Sequence, residues 1–187
     1  MKRLYDKDIR EPLFFFLEET YGKARFFEEK IIGRSRADVL MVIENALVGI
    51  EIKSDADTYT RLKGQVRDYN RFFDYNYIVI GTSHAQHVFE HVPDEWVIIT
   101  VELVDGIPDF YILRKPQRNP KCKLSNQLLF MWRSELEHMK QGYIKFKYAD
   151  KSKDFLRKKI IEKIPEEQLH VLIAQELFER DYTTLKQ

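Results

Sequence analysis

Three residues carry the chemistry available to this 187-residue chain: Asp38, Glu51 and Lys53. They fall in the stretch 36–53, where apolar runs at 37–43 and 47–52 flank a short polar break, Glu44-Asn45. Two such runs about two residues apart predict a β-hairpin. Strands this apolar belong inside a protein, and a charge there is costly unless it is paired or bound to a metal. With Glu44-Asn45 as the loop, Ile43 pairs with Ala46 and Asp38 stands opposite Glu51. With Asn45-Ala46 as the loop, Asp38 faces Lys53. Either register puts Asp38, Glu51 and Lys53 on one face, and Val48, Ile50 and Ile52 on the other. A one-residue loop would break the arrangement. Two carboxylates and an ammonium group suit a hard cation, Mg²⁺ or Mn²⁺, that bridges to substrate phosphate. The lysine can orient or deprotonate an attacking water. The chemistry expected of such a set is phosphodiester hydrolysis.

The elements that must hold these residues can be read on either side of the hairpin. Residues 8–21 place Ile9, Leu13, Phe16 and Leu17 at helical spacing, with Pro12 early and Gly22 as a stop. Asp8, Glu11 and Glu18 on this helix read as solvated charges that could also face the site. Residues 24–32 predict the first strand, with Glu28 and Glu29 on opposite faces and Glu28 the one facing the catalytic surface. Arg34 and Arg36 flank the start of the Asp38 strand and read equally as phosphate contacts or as ordinary turn charges. After the hairpin, Asp57 is the expected N-cap of a helix over 58–73. Leu62, Val66, Tyr69 and Phe73 form its apolar stripe, Arg61, Gln65 and Tyr69 the adjacent one, and Lys63, Arg67 and Arg71 its solvent face.

Asp38 followed by Glu51-Ile-Lys53 resembles the PD-(D/E)xK superfamily of nucleases. Asp57-Thr-Tyr-Thr-Arg-Leu62 and Gln65-x3-Tyr69 extend the likeness, and the whole string is similar to an uncharacterised bacterial family within that superfamily. There an opening like Asp6-Lys-Asp-Ile-Arg10 precedes the catalytic block, and a Trp-Arg-x-Glu like Trp132-Arg-Ser-Glu135 follows it. The first motif departs in having Ala37 where the superfamily name has proline. The resemblance implies an α/β fold with a restriction-endonuclease-like core, a mixed central β-sheet flanked by helices. It also implies Asp38 and Glu51 as ligands of Mg²⁺ (or Mn²⁺), joined by the carbonyl of Ile52, and Lys53 as the group that positions or activates water. Gln65 and Tyr69 would contact the scissile region or orient the lysine. Arg36 and Arg61 are the expected substrate contacts, the substrate is DNA, and a homodimer that cuts both strands fits the superfamily's habit. The pattern acid-x-Lys alone is weak: Glu28-Glu-Lys30 matches it too. Without a hairpin-paired upstream Asp, it is set aside as a decoy.

Residues 77–81 predict a central strand reached by a crossover. His84, His87 and His91 stand at i, i+3 and i+7 on a short helix before Pro93, a weak zinc pattern without a completing ligand. Two further strands, 96–104 and 108–113, are joined by Asp105-Gly106, a strong hairpin signal. Residues 114–123 are basic, proline-containing and without periodicity, which reads as a linker or a phosphate contact. Everything from Ser125 reads helical, with a basic helix around residues 151–159. The division expected is a core over 1–115, a linker over 116–124 and a helical segment over 125–187.

Composition narrows the class. A net charge of +1 leaves nucleic-acid contact to local patches rather than to global basicity. The single cysteine, Cys122, excludes an internal disulfide and fits a reducing compartment. No signal sequence opens the chain and no apolar run approaches membrane-spanning length, so the expectation is a cytoplasmic protein without membrane contact. Two rivals stand beside a nuclease. One is a non-catalytic nucleic-acid-binding or interaction module on the same fold. The other, a two-carboxylate glycosidase, is disfavoured by Lys53 two residues from Glu51.

Overall fold

The computed structural model describes residues 4–182, Ser83 by its backbone alone. Its centre is a six-stranded mixed sheet whose strands lie side by side in chain order. They are β1 (Arg25–Ile32), β2 (Ser35–Ile43), β3 (Ala46–Lys53), β4 (Tyr75–Gly81), β5 (Val97–Val104) and β6 (Ile107–Arg114). The first three pair antiparallel, β3, β4 and β5 are parallel, and β6 returns antiparallel. The β2–β3 hairpin takes the register with Ile43 opposite Ala46, so Glu44-Asn45 is the loop. Asp105 (φ 51°) and Gly106 (φ 84°) make the turn between β5 and β6 with both residues left-handed, the twist a two-residue hairpin needs.

The alternation of side chains sends two apolar sets to opposite sides of the sheet. Val39, Met41, Val48, Ile50 and Val79 pack against Ile9, Leu13 and Leu17 of α1 (Asp6–Tyr21). Leu40, Val42, Leu47, Ile78 and Ile80 pack against α2 (Leu62–Phe72) and against the C-terminal helices. These are α3 (Leu124–Gln127), α4 (Arg133–Met139), α5 (Lys153–Lys163) and α6 (Glu166–Glu179). Leu136, Leu156, Ile160, Ile173 and Leu177 are fully buried in the same apolar cluster as the sheet residues, so one continuous core joins sheet and C-terminal helices. Gly49 is the point of closest approach on that face. A Cβ there would overlap the Phe73 ring, which lies directly over the strand.

Several elements differ from the sequence expectation, for local reasons. The first helix starts at Asp6, because Asp8 turns its carboxylate back to the Tyr5 N–H at 3.1 Å and closes the first turn. The second helix starts at Leu62, not Thr58. Asp57 does not cap it, since its carboxylate accepts from both the N–H (2.9 Å) and the hydroxyl (2.6 Å) of Ser54. The histidine segment is two 3-10 turns rather than a helix, with the His84 and His91 rings packed on Tyr59.

The expected linker is held down. Asn119 is buried and donates to the carbonyls of Asn70 (2.8 Å) and Phe73 (2.7 Å), while Arg114 ends β6 and binds the Pro93 carbonyl at 2.6 Å. Asp74 ties the C-terminal region to the hairpin by accepting from the Leu47 N–H and the Gln127 amide, both at 2.9 Å. Among the described residues, no helix is long and apolar enough to cross a membrane.

Candidate active site

Strand β3 is buried from Leu47 to Lys53, yet two of its residues are ionisable. Glu51 (1% exposed) and Lys53 (7% exposed) are two positions apart, so they share a face, and the Lys53 ammonium bonds Glu51 Oε1 directly. The same oxygen accepts from the Gln65 side-chain amide, and Tyr69 donates to Glu51 Oε2 at 2.8 Å. Gln65 and Tyr69 reach it together because they are four apart on α2, one above the other. Three donors therefore use three of the roughly four lone-pair positions of the carboxylate. A charge buried this deeply is tolerated only with such partners.

Asp38 joins from β2. Its Oδ2 accepts the Ile52 N–H across the hairpin at 2.8 Å, and its own N–H donates to the Tyr69 hydroxyl at 3.2 Å. Burial first, then the nearby Glu51 charge, push the Asp38 carboxyl up to about 7, against the pull of the Ile52 N–H and Lys53. Burial and the two acids likewise push the Tyr69 phenol up, which keeps it a hydrogen-bond donor.

These groups lie at one groove of about 900 Å³. Asp38, Glu51, Ile52, Lys53 and Gln65 line it, and Tyr69 stands fully buried behind them. Both arginines expected to meet substrate, Arg36 and Arg61, line the groove, as do Arg34 and Arg67. Arg36 is ion-paired with Glu29. The strand acids Glu28 and Glu29 do not divide between faces as expected, since φ is +60° at Glu29 and both carboxylates meet Arg10.

Sequence reasoning assigned no role to three supporting residues, two of them in the opening motif Asp6-Lys-Asp-Ile-Arg10. From the first helix the acid that lines the groove is Asp6, not Asp8, Glu11 or Glu18. Arg10, one turn on, holds Asp6 at 2.9 Å and reaches the Asp38 carbonyl at 3.3 Å. The third is Asp68, 2% exposed on α2, which accepts from the Ser35 hydroxyl at 2.7 Å and so pins the β1–β2 turn carrying Arg34. The i, i+4 spacing of Asp6 and Arg10 was a readable signal. The Ser35–Asp68 tie, 33 residues apart, had none. The Trp132-Arg-Ser-Glu135 stretch lines no part of this groove. Glu135 caps α4 at the Trp132 N–H (2.6 Å) and forms a two-pronged buried pair with Arg180 (2.6 and 2.7 Å), whose guanidinium covers the Trp132 ring.

The donor set fits a hard divalent cation. Arg10 approaches Asp38 Oδ1 only to 4.0 Å, and among the described residues Gln65 Oε1 is buried with no hydrogen-bond partner. Asp38 also resists ionisation as the site stands, a conflict that a cation between the two acids would relieve. Among the described residues there is no group of three or more His, Cys, Asp or Glu side chains placed to hold a metal. Two carboxylates are the sparse protein ligation that Mg²⁺ accepts when it keeps its waters.

Comparison with curated proteins and with solved structures returned no match. The pattern of the family described as bacteriophage P4 protein cII matches residues 4–186, nearly the full length. The chain belongs to the bacteriophage P4 protein cII family.

Proposed function

We propose that the chain is a metal-dependent nuclease of the PD-(D/E)xK kind, hydrolysing phosphodiester bonds in DNA on a restriction-endonuclease-like core. The observation that carries this reading is the buried pair Glu51 and Lys53 in the central strand, opening on the same groove as Asp38. An ion pair of this sort costs stability relative to apolar residues of the same size, so its placement beside a third charge at a groove points to chemistry. Asp38, Glu51 and the Ile52 carbonyl would hold Mg²⁺ or Mn²⁺. Bound there, the ion would neutralise charge on the phosphate and acidify water.

The protein's own groups do the rest. Lys53 donates from Nζ to Glu51 and offers its remaining donors to the attacking water or a phosphate oxygen. Tyr69 and Gln65 fix the Glu51 carboxylate from behind. Arg34, Arg36, Arg61 and Arg67 around the groove supply the positive rim that a sugar-phosphate backbone requires. A second reading, a nucleic-acid-binding module without catalysis, draws on that rim alone. A homodimer in the cytoplasm, with one groove for each strand, belongs to the proposal as well.

Metal uptake separates the two readings. Titration with Mn²⁺ should show one site per chain in the wild type and none in Asp38→Asn. Nucleic-acid binding without any metal uptake would favour the binding module.

A further inference from the structure

Residues 140–163 hold nine lysines and arginines against three acids, in a chain whose net charge is only +1. The rest of the chain is therefore net negative, and positive potential concentrates on this segment. Lys145, Lys147, Lys151, Lys153 and Lys158 are exposed, and among the described residues none of them forms an ion pair. None of them lines the groove.

In the middle of this surface stands an aromatic residue that the core does not use. Phe146 is 72% exposed between Lys145 and Lys147. The segment around it is neither helix nor strand, yet it is anchored at successive carbonyls. Lys140 donates to the Phe146 carbonyl (3.3 Å), and Arg133 donates to those of Tyr148 (2.6 Å), Ala149 (3.3 Å) and Lys151. Tyr148 sits edge-on to Phe155 at 5.1 Å and 6.4 Å from the Phe146 ring. A fixed, exposed aromatic flanked by unpaired lysines is the pairing of base platform and phosphate contact used for unpaired nucleic-acid strands. A lipid surface fits less well, because Leu156 and Ile160 of the basic helix α5 are fully buried and, among the described residues, Ile161 is the large apolar side chain this helix exposes, too little to insert.

We propose that residues 143–148, with Lys151, Lys153 and Lys158, form a second nucleic-acid contact selective for single strands. The lysines meet phosphates and Phe146 stacks on a base. A duplex offers the phosphates but no free base face, so it binds here more weakly. The contact is separate from the groove and does not depend on catalysis.

The test is fluorescence anisotropy of the full-length protein with labelled oligo-dT and with a duplex of equal length, in EDTA. Phe146→Ala should weaken oligo-dT binding by about fivefold or more and leave duplex binding nearly unchanged. Lys145→Glu with Lys147→Glu should lower the salt dependence of oligo-dT binding by roughly one unit of slope. Circular dichroism matching wild type would show that both variants are folded. Oligo-dT binding unaffected by either change would overturn the proposal, as would binding only to phosphatidylserine vesicles. Binding that needs Phe146, in a protein that cuts no DNA with any metal, would sink the nuclease reading and leave this one standing. Cutting with no Phe146-dependent binding would do the reverse.

Discussion

The Tyr69 hydroxyl lies 2.8 Å from Glu51 Oε2 and 3.2 Å from the amide nitrogen of Asp38, so one buried oxygen ties together the two strands that carry the acids. It also lies 3.0 Å from the Ile50 carbonyl. The geometry of the pair of carboxylates therefore depends on a residue that never reaches the groove surface.

Tyr69→Phe keeps the ring packed on Trp96 and Phe73 but removes the donor to the buried Glu51 Oε2 and the acceptor of the partly buried Asp38 N–H. An unsatisfied buried group costs about 1–3 kcal/mol. In a domain of this size each kcal/mol lowers Tm by roughly 2–4 °C. The expected result is a Tm lower by several degrees, read by calorimetry, with cleavage reduced more steeply than folding. A variant with unchanged Tm and activity would mean the hydroxyl holds nothing in place.

Asp38 makes stability depend on pH. Its carboxyl is pushed up to about 7 in the folded protein, whereas an unfolded chain releases that proton near pH ~4. Between those values the native state holds the extra proton, so stability falls as pH rises from about 4 to about 7 and then levels off. The loss is at most ~4 kcal/mol. Urea midpoints between pH 5 and 8 should show this slope in the wild type and lack it in Asp38→Asn. Mg²⁺ added at pH 8 should restore stability to the wild type alone, because it binds the ionised carboxylate.

Arg180 and Glu135 form a nearly inaccessible pair, with side chains 3% and 8% exposed. Arg180→Ala leaves Glu135 charged and buried, at a cost of about 3–5 kcal/mol. Adding Glu135→Gln should recover part of that loss. Thermal melts of the single and double variants provide the comparison, and additive losses would show that the two residues are not coupled.

Asp68→Ala should act on substrate binding rather than on the chemistry. Releasing Ser35 loosens the turn that presents Arg34 and Arg36 to the groove. A lost hydrogen bond of this kind is worth about 0.5–1.5 kcal/mol, so KM for DNA should rise roughly two- to tenfold with kcat nearly unchanged. A fall in kcat with KM preserved would place Asp68 in a different role.

How much of this was legible depended on whether local chemistry decided the outcome. The shared face of Asp38, Glu51 and Lys53 followed from two-residue periodicity in either of the two registers left open, of which the fold takes the one with Ile43 opposite Ala46, and the last turn followed from Asp105-Gly106, because side-chain alternation and turn geometry are local. Helical spacing put Gln65 and Tyr69 on one stripe, and the resemblance put that stripe at the site; that both bond the Glu51 carboxylate is seen only in the fold. Asp57 misled because Ser54, three residues away, competes for the carboxylate that would have capped α2. The i, i+4 spacing showed that Asp6 and Arg10 could pair, but that this pair rather than Asp8 reaches the groove is set by the packing of Ile9, Leu13 and Leu17 on the sheet. The Trp-Arg-x-Glu string carried no visible role, because its partner Arg180 is 45 residues further on.

The most direct test of the account is cleavage of end-labelled single-stranded, duplex and branched DNA in Mg²⁺, Mn²⁺ or EDTA by wild type, Asp38→Ala and Lys53→Ala. The account predicts metal-dependent cutting by the wild type, abolished by EDTA and reduced by about a hundredfold or more in both variants. Cutting that survives both substitutions, or a folded wild type that takes up metal and cuts none of these substrates, would contradict it.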